Sequence, residues 1–170
     1  MSSLKTARVT KKGDVGFAIG YGNVLNDEGE EPFSRIYFWE LNIRYGLAEK
    51  CDIGVEIGLP APIALDIKYQ LIGNDTSFVA CGAGLGIAVF SFSEMNLGVI
   101  LPLYLSIHPS EMIGIYTSPR FLSFYGVGIT SGIRFGKDVA LLLEYSIYTN
   151  FEYGNEYVSQ LTGAISYKIP

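Results

Sequence analysis

The chain has 170 residues, of which 49% are hydrophobic and 17% are charged, and its mean hydropathy is +0.29. A soluble domain usually carries about a quarter charged residues, yet no uninterrupted apolar run reaches the roughly 18 to 20 residues of a transmembrane helix. The net charge of −5 excludes the basic surface of a nucleic-acid-binding protein.

Ten segments alternate between apolar residues and small or polar residues, the period of two that is typical of β-strands. The predicted strands are residues 14–24, 36–47, 52–59, 63–72, 79–92, 96–107, 112–124, 126–135, 139–151 and 158–169. The clearest alternation is in 63–72, and in 79–89 every even position is Gly or Ala. Thr117, Ser118 and Pro119 interrupt the seventh strand, and this predicts a kink or a bulge there.

Each predicted strand has one aliphatic face and one small or polar face. A soluble sheet would carry charged residues on the face away from its core, whereas a small membrane barrel turns aliphatic side chains to lipid and small ones to its lumen. The pattern therefore predicts an all-β fold, a ten-stranded antiparallel up-and-down transmembrane β-barrel over residues 13–170. The short connections are expected on the periplasmic side, and the more acidic loops outside.

The charged residues inside the predicted strands all share the polar face. In a narrow lumen they should pair, because an unpaired buried ion loses hydration at a cost of about several kcal/mol. We expect an ion-pair network that fixes strand register and plugs the lumen, with a narrow polar pore as the alternative. Its predicted members are Glu40, Arg44, Glu56, Asp66, Lys68, Arg120, Arg134, Glu144 and Lys168.

Aromatic residues near the strand ends predict contacts with the two membrane–water interfaces, where Trp and Tyr are enriched. Trp39 and Tyr45, six residues apart on one strand, are spaced to mark both interfaces. The predicted interfacial set is Tyr21, Tyr37, Trp39, Tyr45, Tyr69 and Tyr167.

The two cysteines, Cys51 and Cys81, fall on predicted strands that lie two apart in the sheet. Their Cα atoms should be about 10 Å apart, beyond the ~7 Å limit of a disulfide, so free thiols are expected. Neither cysteine has further ligands at metal spacing. The sequence therefore predicts no metal and no cofactor.

The N-terminus has no hydrophobic core of a secretory signal. Residues 2–8, Ser-Ser-Leu-Lys-Thr-Ala-Arg, followed by residues 11–17, Lys-Lys-Gly-Asp-Val-Gly-Phe, resemble the start of mature bacterial lipoproteins that continue into small outer-membrane barrels. The resemblance implies a periplasmic, lipoprotein-like segment at residues 1–12 of a Gram-negative outer-membrane protein. In such proteins a lipidated Cys comes first, whereas Met1 stands here and cannot carry the lipid.

The expected partner is the outer-membrane bilayer with its lipopolysaccharide, and the sequence does not reveal whether there is a protein partner. The acidic run of Asp27, Glu28, Glu30 and Glu31 is interpreted as a solvated loop. A loose site in this run for a divalent cation or for bridging lipopolysaccharide is a weaker alternative.

Two other functions stay open. A soluble barrel would turn its aliphatic residues inward to bind a small apolar ligand. Alternatively, His108-Pro109-Ser110 resembles the His-x-Ser fragment of outer-membrane lipid A deacylases, with Glu144 as a conceivable third member. The sequence favours a barrel that is not an enzyme, since this turn is expected on the periplasmic side, away from the outer-leaflet acyl chains.

Overall fold

The computed structural model describes residues 4–26, 36–59, 62–74, 76–89, 96–123, 126–150 and 156–170. Ten strands pair with their sequence neighbours, and the first pairs with the last, so the sheet is a closed antiparallel barrel. The strands are β1 Val15–Asn26, β2 Ile36–Ala48, β3 Cys51–Leu59, β4 Ile63–Ile72, β5 Val79–Val89, β6 Leu97–Ile107, β7 Ile113–Leu122, β8 Gly126–Gly136, β9 Val139–Asn150 and β10 Glu156–Ile169. The predicted ten-stranded barrel is confirmed.

Side chains alternate strictly between the two faces of the barrel wall. In β6, all eleven residues alternate between exposed and buried. Outward residues are aliphatic and half exposed, such as Leu141 at 57%, while the inward Glu40 is exposed by only 2%. The soluble alternative is wrong in its geometry, since it required the aliphatic residues to face the interior.

The structure differs from the sequence prediction at β7. This strand pairs with β8 without a register shift, including Pro119 opposite Ile129. Its pairing with β6 is interrupted between Arg120 and Thr117 but resumes in the same register. The predicted bulge is therefore wrong: proline removes a donor from the ladder without inserting a residue. Register shifts occur instead in β2, between Gly46 and Ala48, and near the end of β4.

The barrel has two distinct ends. Short connections join β2 to β3, β4 to β5, β6 to β7 and β8 to β9 at the end where β1 begins and β10 ends. We call this the turn end and the opposite one the loop end. No helix in the described part of the chain is long and apolar enough to cross a membrane. Cys51 on β3 and Cys81 on β5 are free thiols separated by β4.

Residues 4–10, the N-terminal segment, lie inside the lumen. Leu4, Ala7 and Val9 are buried, and Leu4 packs with Tyr116 and Leu142 of the barrel wall. The chain reaches the turn end at Lys12, which forms a bridge with Gly46. Residues 1–12 were predicted to form a segment separate from the barrel, yet residues 4–10 are packed inside it.

Candidate functional site

The inner wall carries a network of ion pairs centred on Arg44. Strand register places Arg44 opposite Gly54, and Gly54 opposite Asp66, in one row across β2, β3 and β4. Because Gly54 has no side chain, the guanidinium crosses it: Nη2 lies 2.8 Å from Asp66 Oδ1, and Nε donates to Asp52 Oδ1 at 2.9 Å. One arginine therefore joins two carboxylates from separate strands.

Two lysines extend this network to the N-terminal segment. Lys5 Nζ lies 2.7 Å from Asp66 Oδ2 and 3.4 Å from Glu56 Oε2. Lys68 Nζ lies 3.5 Å from Asp52 Oδ2 and donates to the carbonyls of Thr6, at 3.1 Å, and Arg8, at 2.8 Å. All the side chains of these ion pairs are buried, and a buried charge is costly unless it is paired.

The wall also binds the backbone amides of the segment. Ala7 N donates to Ser106 Oγ at 3.3 Å, Val9 N to Gln70 Oε1 at 3.3 Å, and Thr10 N to an oxygen of Asp52 at 2.8 Å. Side chains of β3, β4 and β6 thus supply hydrogen bonds that strand pairing supplies elsewhere in the barrel.

A second polar cluster lies on β7, β8 and β9. The Tyr116 hydroxyl donates to Glu144 Oε1 at 2.6 Å. Arg120 Nη2 donates to Thr130 Oγ1 at 3.3 Å, and the Thr130 and Ser146 hydroxyls are 2.8 Å apart. Glu40 of β2 is also buried, further from the turn end than Arg44.

The nine predicted network residues therefore occupy three places. Arg44, Glu56, Asp66 and Lys68 share the first network, while Glu40, Arg120 and Glu144 are buried further towards the loop end. The other two lie nearer the turn end. Arg134 donates to the carbonyl of Lys137, and Lys168 forms a partly exposed pair with Asp14 at 2.9 Å.

Sequence reasoning missed two members of the first network. Lys5 belongs to a segment that was assigned outside the barrel, and no strand periodicity marked it as inward. Asp52 was placed at the first position of a predicted strand, where it reads as a turn residue. Asp52 lies four residues before Glu56 on the same strand, so the two side chains are on the same face. This spacing was the signal that could have identified Asp52 as inward.

The six predicted interfacial aromatics all face outward and are about half exposed. Tyr21 contacts both Trp39 and Tyr37 towards the loop end, with ring centroids 4.9 Å and 5.8 Å away. The other three, Tyr45, Tyr69 and Tyr167, lie near the turn end.

The structure does not assemble the hydrolase residues. His108 Nε2 lies 2.9 Å from the hydroxyl of Ser106, whereas the exposed Ser110 hydroxyl accepts hydrogen bonds from the amides of Met112 and Ile113. Burial, with the charges of Arg8 and Arg134, lowers the pKa of His108 to about 4. The imidazole is therefore neutral near pH 7, and its hydrogen bond is to a different serine.

A cavity of about 370 Å³ runs beside the N-terminal segment and opens at the turn end. The N-terminal segment and Lys11 form one side, and the barrel wall, including Ala18, Leu142 and His108, forms the other. Within the described residues, no group of three or more His, Cys, Asp or Glu side chains is arranged to hold a metal ion.

No protein-family model matches the sequence, and no curated protein matches it either. Solved structures of similar shape include the N-terminal β-barrel domain of Pseudomonas aeruginosa OprF, at 10% identity and a TM-score of 0.41, with 92% of this chain and 98% of that one covered. The Yersinia pestis attachment invasion locus protein Ail is 9% identical with a TM-score of 0.41, covering 93% and 99%. A de novo designed transmembrane β-barrel is 11% identical with a TM-score of 0.43, covering 95% and 99%.

Proposed function

We propose that this protein is an integral β-barrel of the bacterial outer membrane, of a structural or narrow-pore type, whose lumen is plugged by an ion-pair network. The observation that carries the proposal is the outward face of the barrel. Large aliphatic side chains cover it between aromatic residues near both ends, the arrangement that a transmembrane barrel presents to lipid. The bilayer, with its lipopolysaccharide, is the proposed partner.

The contents of the lumen support a barrel that is closed at rest. Lys5 occupies the space between Glu56 and Asp66, while Arg44 spans from β2 to β4. The two hydrophobic clusters around Leu4 and around Ile100 further reduce the free width. We expect the undisturbed protein to conduct ions poorly in a planar bilayer.

The lipoprotein-like character of residues 1–12 stays a prediction. The burial of Leu4, Ala7 and Val9 adds a second role for this stretch, as part of the lumenal packing. The proposed lipopolysaccharide-bridging residues between Asp27 and Glu31 lie outside the described residues.

Two arginine substitutions at outward positions test the membrane location. Leu103 lies near the middle of β6, and Ile72 ends β4 at the turn end; both are exposed. An arginine near the bilayer midplane costs about 2–4 kcal/mol, while one near an interface costs about 0–1 kcal/mol. Leu103→Arg should therefore impair folding into phospholipid vesicles, and Ile72→Arg should not.

The readout is the fraction of protein that resists alkaline extraction from the vesicles and shows heat-modifiable electrophoretic mobility. Equal insertion of both variants would contradict a lipid-facing β6. A wild-type protein that stays monomeric in detergent-free buffer would contradict the proposed function as a whole.

A further inference from the structure

Side chains of the barrel wall bind the backbone of the N-terminal segment, as a binding protein binds an extended peptide. Residues 4–11 belong to none of the described strands. Wall side chains bind its backbone in alternation, since Lys68 binds the carbonyls of Thr6 and Arg8 while Ser106 and Gln70 accept from the amides of Ala7 and Val9. Such main-chain recognition gives affinity for an extended peptide, and side-chain pockets give specificity.

The segment is also loosely packed on one side. The 370 Å³ cavity runs along it from Leu4 to Lys11 and opens at the turn end. Leu4 has a φ of +39°, a left-handed conformation that residues other than glycine rarely adopt. Free space beside the segment and the unfavourable backbone conformation of Leu4 both make the bound segment less stable than it would be with complete packing.

Charge complementarity favours a basic ligand. Residues 1–12 hold four of the twelve basic residues of the chain and none of its seventeen acidic residues. Among the buried side chains of the described residues outside the segment, five are carboxylates and three are those of lysine or arginine. Withdrawal of the segment would leave Glu56 without Lys5, the cation that lies 3.4 Å from it.

We propose that the lumen, entered from the turn end, is a binding site for an extended basic peptide, and that residues 4–10 occupy it as a tethered, exchangeable ligand. The inference rests on the proposed barrel function and adds a ligand class to it. The ammonium of Lys5 is the anchor between Glu56 and Asp66. Ala7, fully buried against Ala80 and Tyr104, restricts the position two residues later to a small side chain.

A synthetic peptide with the sequence of residues 4–10, Leu-Lys-Thr-Ala-Arg-Val-Thr, labelled at its C-terminus, serves as the probe. Its binding to the detergent-solubilised full-length protein is measured by fluorescence anisotropy. In the wild type, the tethered segment competes at a high effective concentration. In Lys5→Gln the competitor loses its charged contacts, so the peptide should bind about tenfold tighter or more.

Matched controls separate recognition from general charge. Lys12→Gln removes the same charge from an exposed residue outside the lumen and should leave peptide affinity at the wild-type value. Peptides with Gln in place of the Lys, or with Leu in place of the single Ala, should lose binding to the Lys5→Gln protein. Heat-modifiable mobility shows that each variant is folded.

A reversible lock tests the location of the site. Ala7→Cys with Ala80→Cys, in a Cys51→Ser and Cys81→Ser background, places a cysteine on each side of one buried contact. Oxidation should abolish peptide binding, and reduction should restore it to the value that the same protein had before oxidation.

Binding that survives oxidation would place the peptide elsewhere and overturn the proposal. Absence of binding to every folded form, at peptide concentrations up to the millimolar range, would also overturn it and leave the segment as permanent packing. Either result is compatible with a membrane barrel, since insertion of the wild type is measured separately.

Discussion

The guanidinium of Arg44 lies directly over Gly54. A Cβ atom added to Gly54 would come within 2.4 Å of Arg44 Nη1 and 2.8 Å of Cζ. The two residues are register partners on β2 and β3, and the arginine crosses this position to reach Asp66 on β4. The absent side chain of Gly54 is therefore what allows an ion pair to span three strands.

Gly54→Ala should displace the guanidinium and weaken its contact with Asp66. Breaking a buried ion pair from one side costs about 3–5 kcal/mol, so a loss of about 3 kcal/mol in the free energy of unfolding is expected. Urea-induced unfolding in lipid vesicles measures it. Gly163→Ala is the matched control, because its nearest atom would be Leu143 Cδ2 at 3.7 Å. Equal stability of the two variants would contradict the role of Gly54.

Tyr116→Phe should destabilise the cluster on β7, β8 and β9. It removes the hydroxyl that donates to the buried Glu144 carboxylate at 2.6 Å. Loss of a hydrogen bond to a charged group costs about 1.5–3 kcal/mol. Tyr145 follows Glu144 in the chain and faces outward. Tyr145→Phe should therefore change the free energy of unfolding by less than about 0.5 kcal/mol. A larger effect at Tyr145 than at Tyr116 would argue against this arrangement.

Acidification should destabilise the fold through His108. The pKa of this imidazole is lowered from 6.5 to about 4, first by burial and then by the charges of Arg8 and Arg134. Between pH 6.5 and about 4, His108 is therefore protonated in the unfolded chain but neutral in the folded one. The free energy of unfolding falls as the pH is lowered through this range. Unfolding midpoints of wild type and His108→Gln, measured across this range, should differ in slope. Parallel curves would show that His108 titrates normally.

Trp39, the only tryptophan, reports the depth of the loop-end aromatic residues. Its exposed ring contacts Tyr21, and the proposal places it at a membrane interface. Spin-labelled lipids should quench its fluorescence most strongly when the label is near the headgroup. A Trp39→Phe protein carrying Leu103→Trp should respond most to a label near the chain end. Quenching of Trp39 by aqueous iodide but by neither lipid label would contradict membrane contact.

The sequence was sufficient to predict which residues of the barrel wall face inward, because side chains on a strand alternate between only two faces. The alternation through β4 and β6 predicted which residues face inward, and it also predicted the inward positions of Asp66 and Lys68. Pairing between strands was harder to predict. It depends on the register between segments that are distant in sequence. No local sequence pattern predicts that Arg44 crosses Gly54 to bind Asp66.

The contents of the lumen were predicted least well. Residues 4–10 have no strand periodicity, because side chains of the wall, and not a neighbouring strand, bind their backbone. Lys5 lies 61 positions from Asp66 in sequence. A lysine in a basic N-terminal stretch is normally predicted to be solvated. The contact between Lys5 and Asp66 could therefore be identified only from the structure.

The side chains that bind the N-terminal segment have a consequence for assembly. They come from β3, β4 and β6, whereas the barrel closes between β1 and β10. An open sheet that still lacks its final seam already contains every one of these groups. The N-terminal segment can therefore bind to β3, β4 and β6 after they have been synthesised. Pairing of β10 with β1 then encloses the segment in the lumen.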